Sequence, residues 1–272
     1  MKNNTLPTPK NRFELLKDRL KTRFLDFVVV SLLVLVFLIP LIVWNMSLTY
    51  SNAFTITEEN YLLMALLAYA PYILFIMIFG LGIVGALYYS KRLAFGEGAN
   101  PAKDFFYGIK VNLKPALIGF SLLGVIYFLM CFSKIIFSFA IEMPDLLRGV
   151  LMGLIYVAFM FMFLLISFFL TQSVIYKGTS LQLFSNAAKF TFGMVGWNFL
   201  ILIIVLLPFF VYEFIPFALA RYIALGVSGL FYFEFSIFVF TIYSHAIFDM
   251  TINENYPEIY RKGLVPEEEK EE

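Results

Sequence analysis

The sequence predicts an all-α membrane protein: six transmembrane helices in three hairpins, with short amphipathic helices at the cytoplasmic interface. Two observations lead to this fold class. First, 61% of the 272 residues are hydrophobic and 14% are charged, whereas a soluble domain has roughly 45–50% apolar and about 25% charged residues. Second, the apolar residues fall into windows long enough to cross a bilayer, which takes roughly 20 residues in a helix. A soluble fold is therefore excluded, and the excess of apolar side chains must face lipid.

The predicted spans follow one another at short intervals along the chain. They cover residues 27–44, 62–89, 116–139, 149–171, 195–219 and 222–248. Pro40, Pro71 and Pro208 lie inside these windows, where membrane helices tolerate proline as a kink. We interpret the first window as a retained helix, because its apolar run exceeds the roughly 7–15 residues of a signal-peptide core and no A-x-A-like cleavage site follows.

Lysine and arginine residues set the predicted orientation, because cytoplasmic loops carry an excess of them. Of the 20 lysines and arginines in the chain, all but three lie in the N-terminal tail, the loops after the second and fourth spans, and the C-terminal tail. The exceptions on the opposite side are Lys134, Arg148 and Arg221. This bias predicts a multi-pass protein of the cell membrane with both termini in the cytoplasm.

An amphipathic helix is predicted before the first, third and fifth spans. The predicted N-caps are Asn11, Asn100 and Thr179, all residue types that accept hydrogen bonds from a helix's first turn. The apolar stripes are Phe13, Leu16, Leu20, Phe24 and Phe27, then Phe105, Ile109 and Leu113, then Leu181, Phe184 and Ala188. Such helices lie in the headgroup plane. Either three copies of one unit or three independent membrane lead-ins explain the pattern.

Three regions follow from these elements. Residues 1–26 form a basic cytoplasmic tail with an amphipathic helix, and residues 27–248 form the six-helix transmembrane domain. Residues 249–272 form an acidic cytoplasmic tail, partly disordered because like charges repel one another. No segment between the spans reaches the roughly 40–50 residues of an independent domain. Function must therefore lie in the helix bundle, on short loops or in a partner.

Glu234 is the most unusual residue of the predicted spans. It lies near the middle of the sixth window among phenylalanines and tyrosines, where a carboxylate costs about 2.5–3.5 kcal/mol on insertion scales. One interpretation is a proton or substrate site. The other is a structural hydrogen bond to a serine, tyrosine or lysine of a neighbouring helix, with Lys134 as a candidate partner. Glu234 and Lys134 together form the candidate intramembrane polar site.

A second candidate surface is the basic loop after the second span. The candidate contact residues in this loop are Arg92, Lys103, Lys110 and Lys114. Basic residues beside a membrane helix attract anionic lipid headgroups, and they also suit an acidic protein surface. The predicted partners are therefore the bilayer, its anionic lipids, and either another membrane protein or a second copy of this chain.

Other functional classes find little support in the sequence. No H-E-x-x-H, G-x-S-x-G or P-loop motif occurs, so no catalytic residues are assigned. The single cysteine, Cys131, and the single histidine, His245, do not make a metal site, which needs three or four ligands. The G-x-G-x-x-G match at 80–85 lies inside an apolar span, which favours helix packing over nucleotide binding. With a net charge of +1, nucleic acid is not a predicted partner, and no cofactor is assigned.

Residues 80–114 resemble a known family. They read GLGIVGALYYSKRLAFGEGANPAKDFFYGIKVNLK, with a glycine-rich span end, a basic pair, Gly-Glu and Asp-Phe-Phe in order. This stretch is similar to the YesL-like integral membrane proteins of bacteria. The resemblance implies a bacterial cytoplasmic membrane protein of no established activity, often encoded near carbohydrate-uptake and sensor genes, and it transfers no catalytic residues. The extended loop at 45–61 and the longer charged C-terminus depart from the family pattern.

These observations lead to a main hypothesis and an alternative. The main hypothesis is a non-enzymatic accessory or regulatory module of a membrane partner. The alternative is a secondary transporter or permease component for a small molecule, carbohydrate-related by the resemblance, that uses Glu234. A weaker third hypothesis is a lipid-handling protein that uses the interfacial helices. The first two differ in whether Glu234 faces a water-filled cavity or a packed helix contact.

Overall fold

The structure is a computed structural model that describes residues 9–51, 54–139 and 142–265. These residues form ten α-helices and no β-strand. The helices are α1 (Arg12–Thr22), α2 (Phe24–Tyr50), α3 (Tyr61–Tyr69), α4 (Pro71–Ala94), α5 (Pro101–Val111), α6 (Leu113–Phe139), α7 (Asp145–Ile175), α8 (Ser180–Gly193), α9 (Val195–Phe214) and α10 (Ala218–Asp249). The predicted all-α class is confirmed.

Several of these helices are long and apolar enough to cross a membrane. In the described part of the chain there are five such segments: Phe24–Tyr50, Tyr61–Ala94, Leu113–Phe139, Asp145–Ile175 and Gly229–Asp249. A sixth is reached if α8 and the first part of α9 are counted as one span. The predicted window 195–219 runs past the end of α9. The chain is a membrane protein with five or six candidate spans.

The second predicted span consists of two helices. α3 ends at Tyr69 and α4 begins at Pro71. Proline suits the first position of a helix because its missing N–H would have no intrahelical acceptor there. Pro71 therefore starts a helix where a kink was expected, whereas Pro40 lies inside α2.

The predicted caps of the interfacial helices are present. The Asn11 side chain accepts a hydrogen bond from the Glu14 backbone N–H at 2.8 Å, and Asn100 accepts one from the Lys103 backbone N–H at 3.0 Å. Thr179 forms a complete capping box at the start of α8. Each cap satisfies an N–H that the first helical turn leaves without an acceptor, so the starts of α1, α5 and α8 agree with the sequence prediction.

The interfacial helices have a second apolar contact that the sequence analysis missed. In α1, Phe13 of the predicted stripe is 75% exposed, while Leu15 is buried. In α8, Leu181 of the stripe is 81% exposed, while Leu183 is buried. An apolar side chain on a helix of a membrane protein contacts either lipid or the rest of the protein. Periodicity therefore finds an apolar stripe without telling which apolar residues enter the core.

The described chain divides into two compact units. Among the described residues, the first unit comprises 9–33, 85–108 and 196–265. Aromatic rings dominate its core: Phe27 meets Phe238 edge to face, with ring centroids 5.3 Å apart. Gly85 lets α5 approach α4 closely, because a Cβ at this position would lie 2.9 Å from the Phe105 carbonyl oxygen. This contact supports packing as the role of the glycine-rich stretch.

The second unit comprises the described residues between 34 and 84 and between 109 and 195, which are 34–51, 54–84, 109–139 and 142–195. Within it, α6 packs against α7 and α7 packs against α8. The Phe169 ring of α7 stacks on Phe184 of α8 with centroids 4.0 Å apart. A Cβ at Gly124 of α6 would lie 2.8 Å from the Cα of Ile73. Close backbone approach and aromatic stacking thus hold these helices together.

Candidate functional site

The buried carboxyl site consists of Glu234 and two serines in the first unit. Glu234 is 0% exposed. The Ser90 hydroxyl of α4 donates a hydrogen bond to Glu234 Oε1 at 2.6 Å, and the Ser31 hydroxyl of α2 accepts one from the Glu234 backbone N–H at 3.0 Å. Three helices distant in sequence therefore converge on one residue. This is one form of the structural hydrogen bond that the sequence allowed for Glu234.

Helical spacing explains why Glu234 faces this contact. Glu234, Phe238, Thr241 and His245 recur at intervals of four, three and four residues along α10, and all four are buried. Such spacing places them on one face of the helix. The carboxyl group of Glu234 reaches Ser90, while its backbone N–H meets Ser31. Glu234 is thus part of the packed face of α10.

The remaining oxygen of Glu234 is unsatisfied. Oε2 is buried and has no hydrogen-bond partner among the described residues. A buried carboxyl oxygen without a partner carries a desolvation cost of about 1–3 kcal/mol. In this site Oε1 of Glu234 accepts a hydrogen bond from a hydroxyl group, whereas Oε2 can still accept one.

Lys134 lies in the second unit, at the end of α6, and is exposed. Its carbonyl oxygen accepts a hydrogen bond from the Ser138 hydroxyl at 2.9 Å. Its side chain lines an open groove of about 310 Å³ together with Asp145, Arg148 and Tyr156. In this groove Asp145 and Arg148 form an ion pair at 3.2 Å. The pairing of Lys134 with Glu234 stays a prediction.

His245 is buried in the first unit, with its ring centroid 4.9 Å from that of Phe95. Its Nε2 atom has no hydrogen-bond partner among the described residues. Asp249, four residues later, binds the Arg12 guanidinium at 2.6 Å and the Asn253 amide at 2.7 Å. The part of the chain that the structure describes contains no group of three histidine, cysteine or acidic residues able to hold a metal ion.

A charged cluster surrounds Glu97 just after α4. Arg92 binds Glu97 at 3.2 Å and Asp104 at 2.5 Å. Lys262, from the C-terminal segment, donates to Glu97 at 3.0 Å and lies 4.7 Å from the centre of the Phe95 ring. We call Arg92, Glu97, Asp104 and Lys262 the Glu97 cluster. The sequence singled out Arg92 but not its partners, because the four residues follow no periodic pattern.

The cations of the Glu97 cluster change the acidity of its carboxylate. Burial by itself raises the pKa of Glu97, but the nearby cations Lys262, Lys91 and Arg92 outweigh it and bring the pKa below the usual value of 4.5. Opposite charges within a few ångströms favour the ionised form of a carboxyl group. Glu97 is therefore ionised at neutral pH and holds the C-terminal segment electrostatically.

The C-terminal segment after α10 consists of turns up to residue 265, with a short 3-10 turn at Asn253–Asn255. The Val265 N–H donates to the Pro9 carbonyl at 3.0 Å, which joins the two ends of the described chain. Gly263 has φ +86°, and a Cβ there would lie 2.1 Å from the Ala94 carbonyl oxygen. Only glycine fits this approach without a shift. The acidic run at 266–272 lies outside the described residues.

The four predicted basic residues have different environments. Arg92 belongs to the Glu97 cluster, and its side chain is 27% exposed. Lys103, Lys110 and Lys114 are exposed. Lys103 shares the exposed side of α5 with Phe106 and Tyr107, which are 54% and 52% exposed. The lysines, more than Arg92, are available to lipid or to a partner.

Comparisons of the chain with known protein families, characterised proteins and solved structures find no match.

Proposed function

We propose that this chain is a multi-pass protein of the bacterial cytoplasmic membrane, belonging with the YesL-like proteins, that serves as a non-enzymatic accessory or regulatory module of a membrane partner. The observation that carries this proposal is the packing of Glu234. Glu234 is 0% exposed. Its carboxyl group accepts a hydrogen bond from Ser90 of α4, and its backbone N–H donates one to Ser31 of α2. A carboxylate that couples transport must exchange protons or ligand with water, and a packed position does not provide that exchange.

The surface proposed for the partner is the exposed face of α5. Lys103, Phe106 and Tyr107 combine one positive charge with two aromatic rings. Aromatic residues are enriched at the buried centres of protein interfaces. An acidic, partly apolar segment of another membrane protein would complement this face. The positive-inside bias puts the same face in the cytoplasm.

Purification from native membranes tests the proposal. Tagged protein is extracted in mild detergent, and co-eluting proteins are identified by mass spectrometry. We expect a stoichiometric companion that is lost in Lys103→Glu and retained in Lys134→Glu, an exposed lysine at the far end of α6. A protein that elutes without a companion, at wild-type yield, would contradict the accessory role.

A transporter that uses Glu234 is the second candidate, and one observation favours it. Glu234 Oε2 has no partner among the described residues, so this atom is free to bind a proton or a ligand group. Buried acids inside membrane helices are frequently parts of ion or proton pathways. In a transporter, Glu234→Gln would abolish uptake while the protein stays folded; in an accessory module, the same variant would keep its companion.

A further inference from the structure

A groove in the second unit has the composition of a lipid-binding surface. It lies where α5 ends and α6 begins, and it is open, with a volume of about 420 Å³. Its lining is made of two lysines and four aliphatic residues: Lys110, Val111, Leu113, Lys114, Leu117 and Ile118. No acidic residue lines it.

Both lysines have free charges. Lys110 and Lys114 are exposed, and neither forms an ion pair with any residue that the structure describes. Arg92, the arginine of the same basic loop in the sequence, is bound to two carboxylates. The positive charge of this groove is therefore available to a ligand from outside the chain.

The groove lies at the start of a candidate span. Leu113 is the first residue of α6, a candidate span, so Leu117 and Ile118 lie in its second turn. At about 1.5 Å per residue, the groove covers roughly the first 9 Å of this helix. Lysines at such a level lie beside phosphates, while the aliphatic residues one turn further lie beside the start of the acyl chains.

We propose that this groove binds an anionic phospholipid, with Lys110 and Lys114 on the phosphate and the four aliphatic residues against the glycerol and upper acyl chain. The described lining has no aromatic residue, whereas the buried centres of protein interfaces are enriched in aromatic residues. The proposal does not depend on the accessory role, since any membrane protein can hold a lipid.

The groove at the other end of α6 provides a matched control within the same unit. It also contains two cations, Lys134 and Arg148, beside apolar residues, and its volume is about 310 Å³. There Asp145 pairs with Arg148 at 3.2 Å, which offsets part of the charge. We therefore expect weaker preference for anionic lipid at this second groove.

Native mass spectrometry of the full chain tests the proposal. The protein is taken from vesicles containing equal phosphatidylglycerol and phosphatidylcholine, and the retained lipids are counted for wild type, for Lys110→Gln with Lys114→Gln, and for Lys134→Gln with Arg148→Gln. Each surface lysine contributes about 1 kcal/mol toward anionic lipid, or about five-fold in binding. We expect the first double variant, which removes two lysines, to lose up to about 25-fold of the phosphatidylglycerol preference, and the second to lose little.

Changing Lys110 and Lys114 to arginine keeps both charges, so this variant should keep the preference for phosphatidylglycerol. That result would show that the glutamine variant acts through its loss of charge. Equal retention of the two lipids by wild type would overturn the proposal. An equal loss in the control variant would also overturn it, because the effect would then be one of total charge. If Lys110→Gln with Lys114→Gln loses a protein companion but retains the same lipids as wild type, the groove binds an acidic protein and the lipid proposal is overturned.

Discussion

For Glu234, the sequence predicts the position of a buried carboxyl group but not its hydrogen-bond partners. A lone carboxylate within an apolar window is conspicuous, so its position could be predicted from sequence. Its partners could not, because Ser90 and Ser31 are 144 and 203 residues away and resemble any other small residue of a span. Only the packing of α2, α4 and α10 identifies them. The sequence allowed a serine, tyrosine or lysine as the partner of Glu234, and it could single out only Lys134 by number, because a charged residue stands out within an apolar span.

The Glu234–Ser90 hydrogen bond predicts energetic coupling. We expect Ser90→Ala to cost about 1–3 kcal/mol of unfolding free energy, since a buried acceptor loses its donor. The double variant Glu234→Ala with Ser90→Ala should depart from additivity by about 0.5–3 kcal/mol, as contacting residues do. Chemical unfolding in mixed micelles measures both quantities. If the losses of unfolding free energy in the two single variants simply add up in the double variant, the Glu234–Ser90 hydrogen bond is contradicted. A second cycle, with Lys134→Met in place of Ser90→Ala, tests the Glu234–Lys134 pair predicted from sequence.

The lowered pKa of Glu97 predicts a pH dependence of stability. A carboxyl whose pKa is lower in the folded state stabilises the fold when ionised, and this contribution is lost as the pH falls through the folded value. The melting temperature of wild type should exceed that of Glu97→Gln by a constant amount above about pH 5. The difference in melting temperature should shrink as the pH falls below 4.5, the usual pKa of a glutamate. A difference that grows on acidification would contradict the role of Lys262 and Arg92.

In the predicted interfacial helices, local sequence predicts where each helix begins but not which of its faces is buried. N-caps depend on one side chain and the next few backbone groups, so Asn11, Asn100 and Thr179 were found correctly. The buried face of each helix depends on the neighbouring helices. For α1 and α8 it could not be predicted, because lipid and protein both accept apolar side chains.

Two leucines of α8 provide a direct comparison. Leu183 is 7% exposed and Leu181 is 81% exposed. Leu183→Ala should lower the unfolding free energy by about 2–5 kcal/mol, as for other buried leucines. Leu181→Ala should change it by less than about 0.5 kcal/mol. Thermal unfolding in detergent distinguishes the two variants, and similar losses in both would mean that α8 presents a different face to the protein.

For the whole molecule, composition and charge bias are the informative signals. The apolar excess predicted the membrane class, and the described helices agree with it. The charge bias predicts the orientation without any knowledge of packing. The division into two compact units could not be predicted, because each unit joins segments from different parts of the chain. The Glu97 cluster depends on the same long-range assembly.

The orientation is tested with fused reporters. A reporter enzyme that works only in the cytoplasm should be active when it is fused after residue 272. A reporter that works only outside the membrane should be inactive at the same position, because most lysines and arginines lie on one side of the predicted spans. The same pair of reporters inserted between Glu142 and Asp145 should give the opposite result. External activity at the C-terminus would reverse the assigned topology.

Water access to the buried carboxyl site tests the central claim, that Glu234 is a packed structural residue. Ser90, 0% exposed, is changed to cysteine in a Cys131→Ala background, and the folded protein in vesicles is treated with a maleimide on both sides. Lys103→Cys in the same background serves as the exposed control. We predict that the Ser90→Cys variant stays unmodified until it is unfolded, while the control reacts fully. Rapid modification of the folded Ser90→Cys variant would show that water reaches Glu234 and would contradict the account.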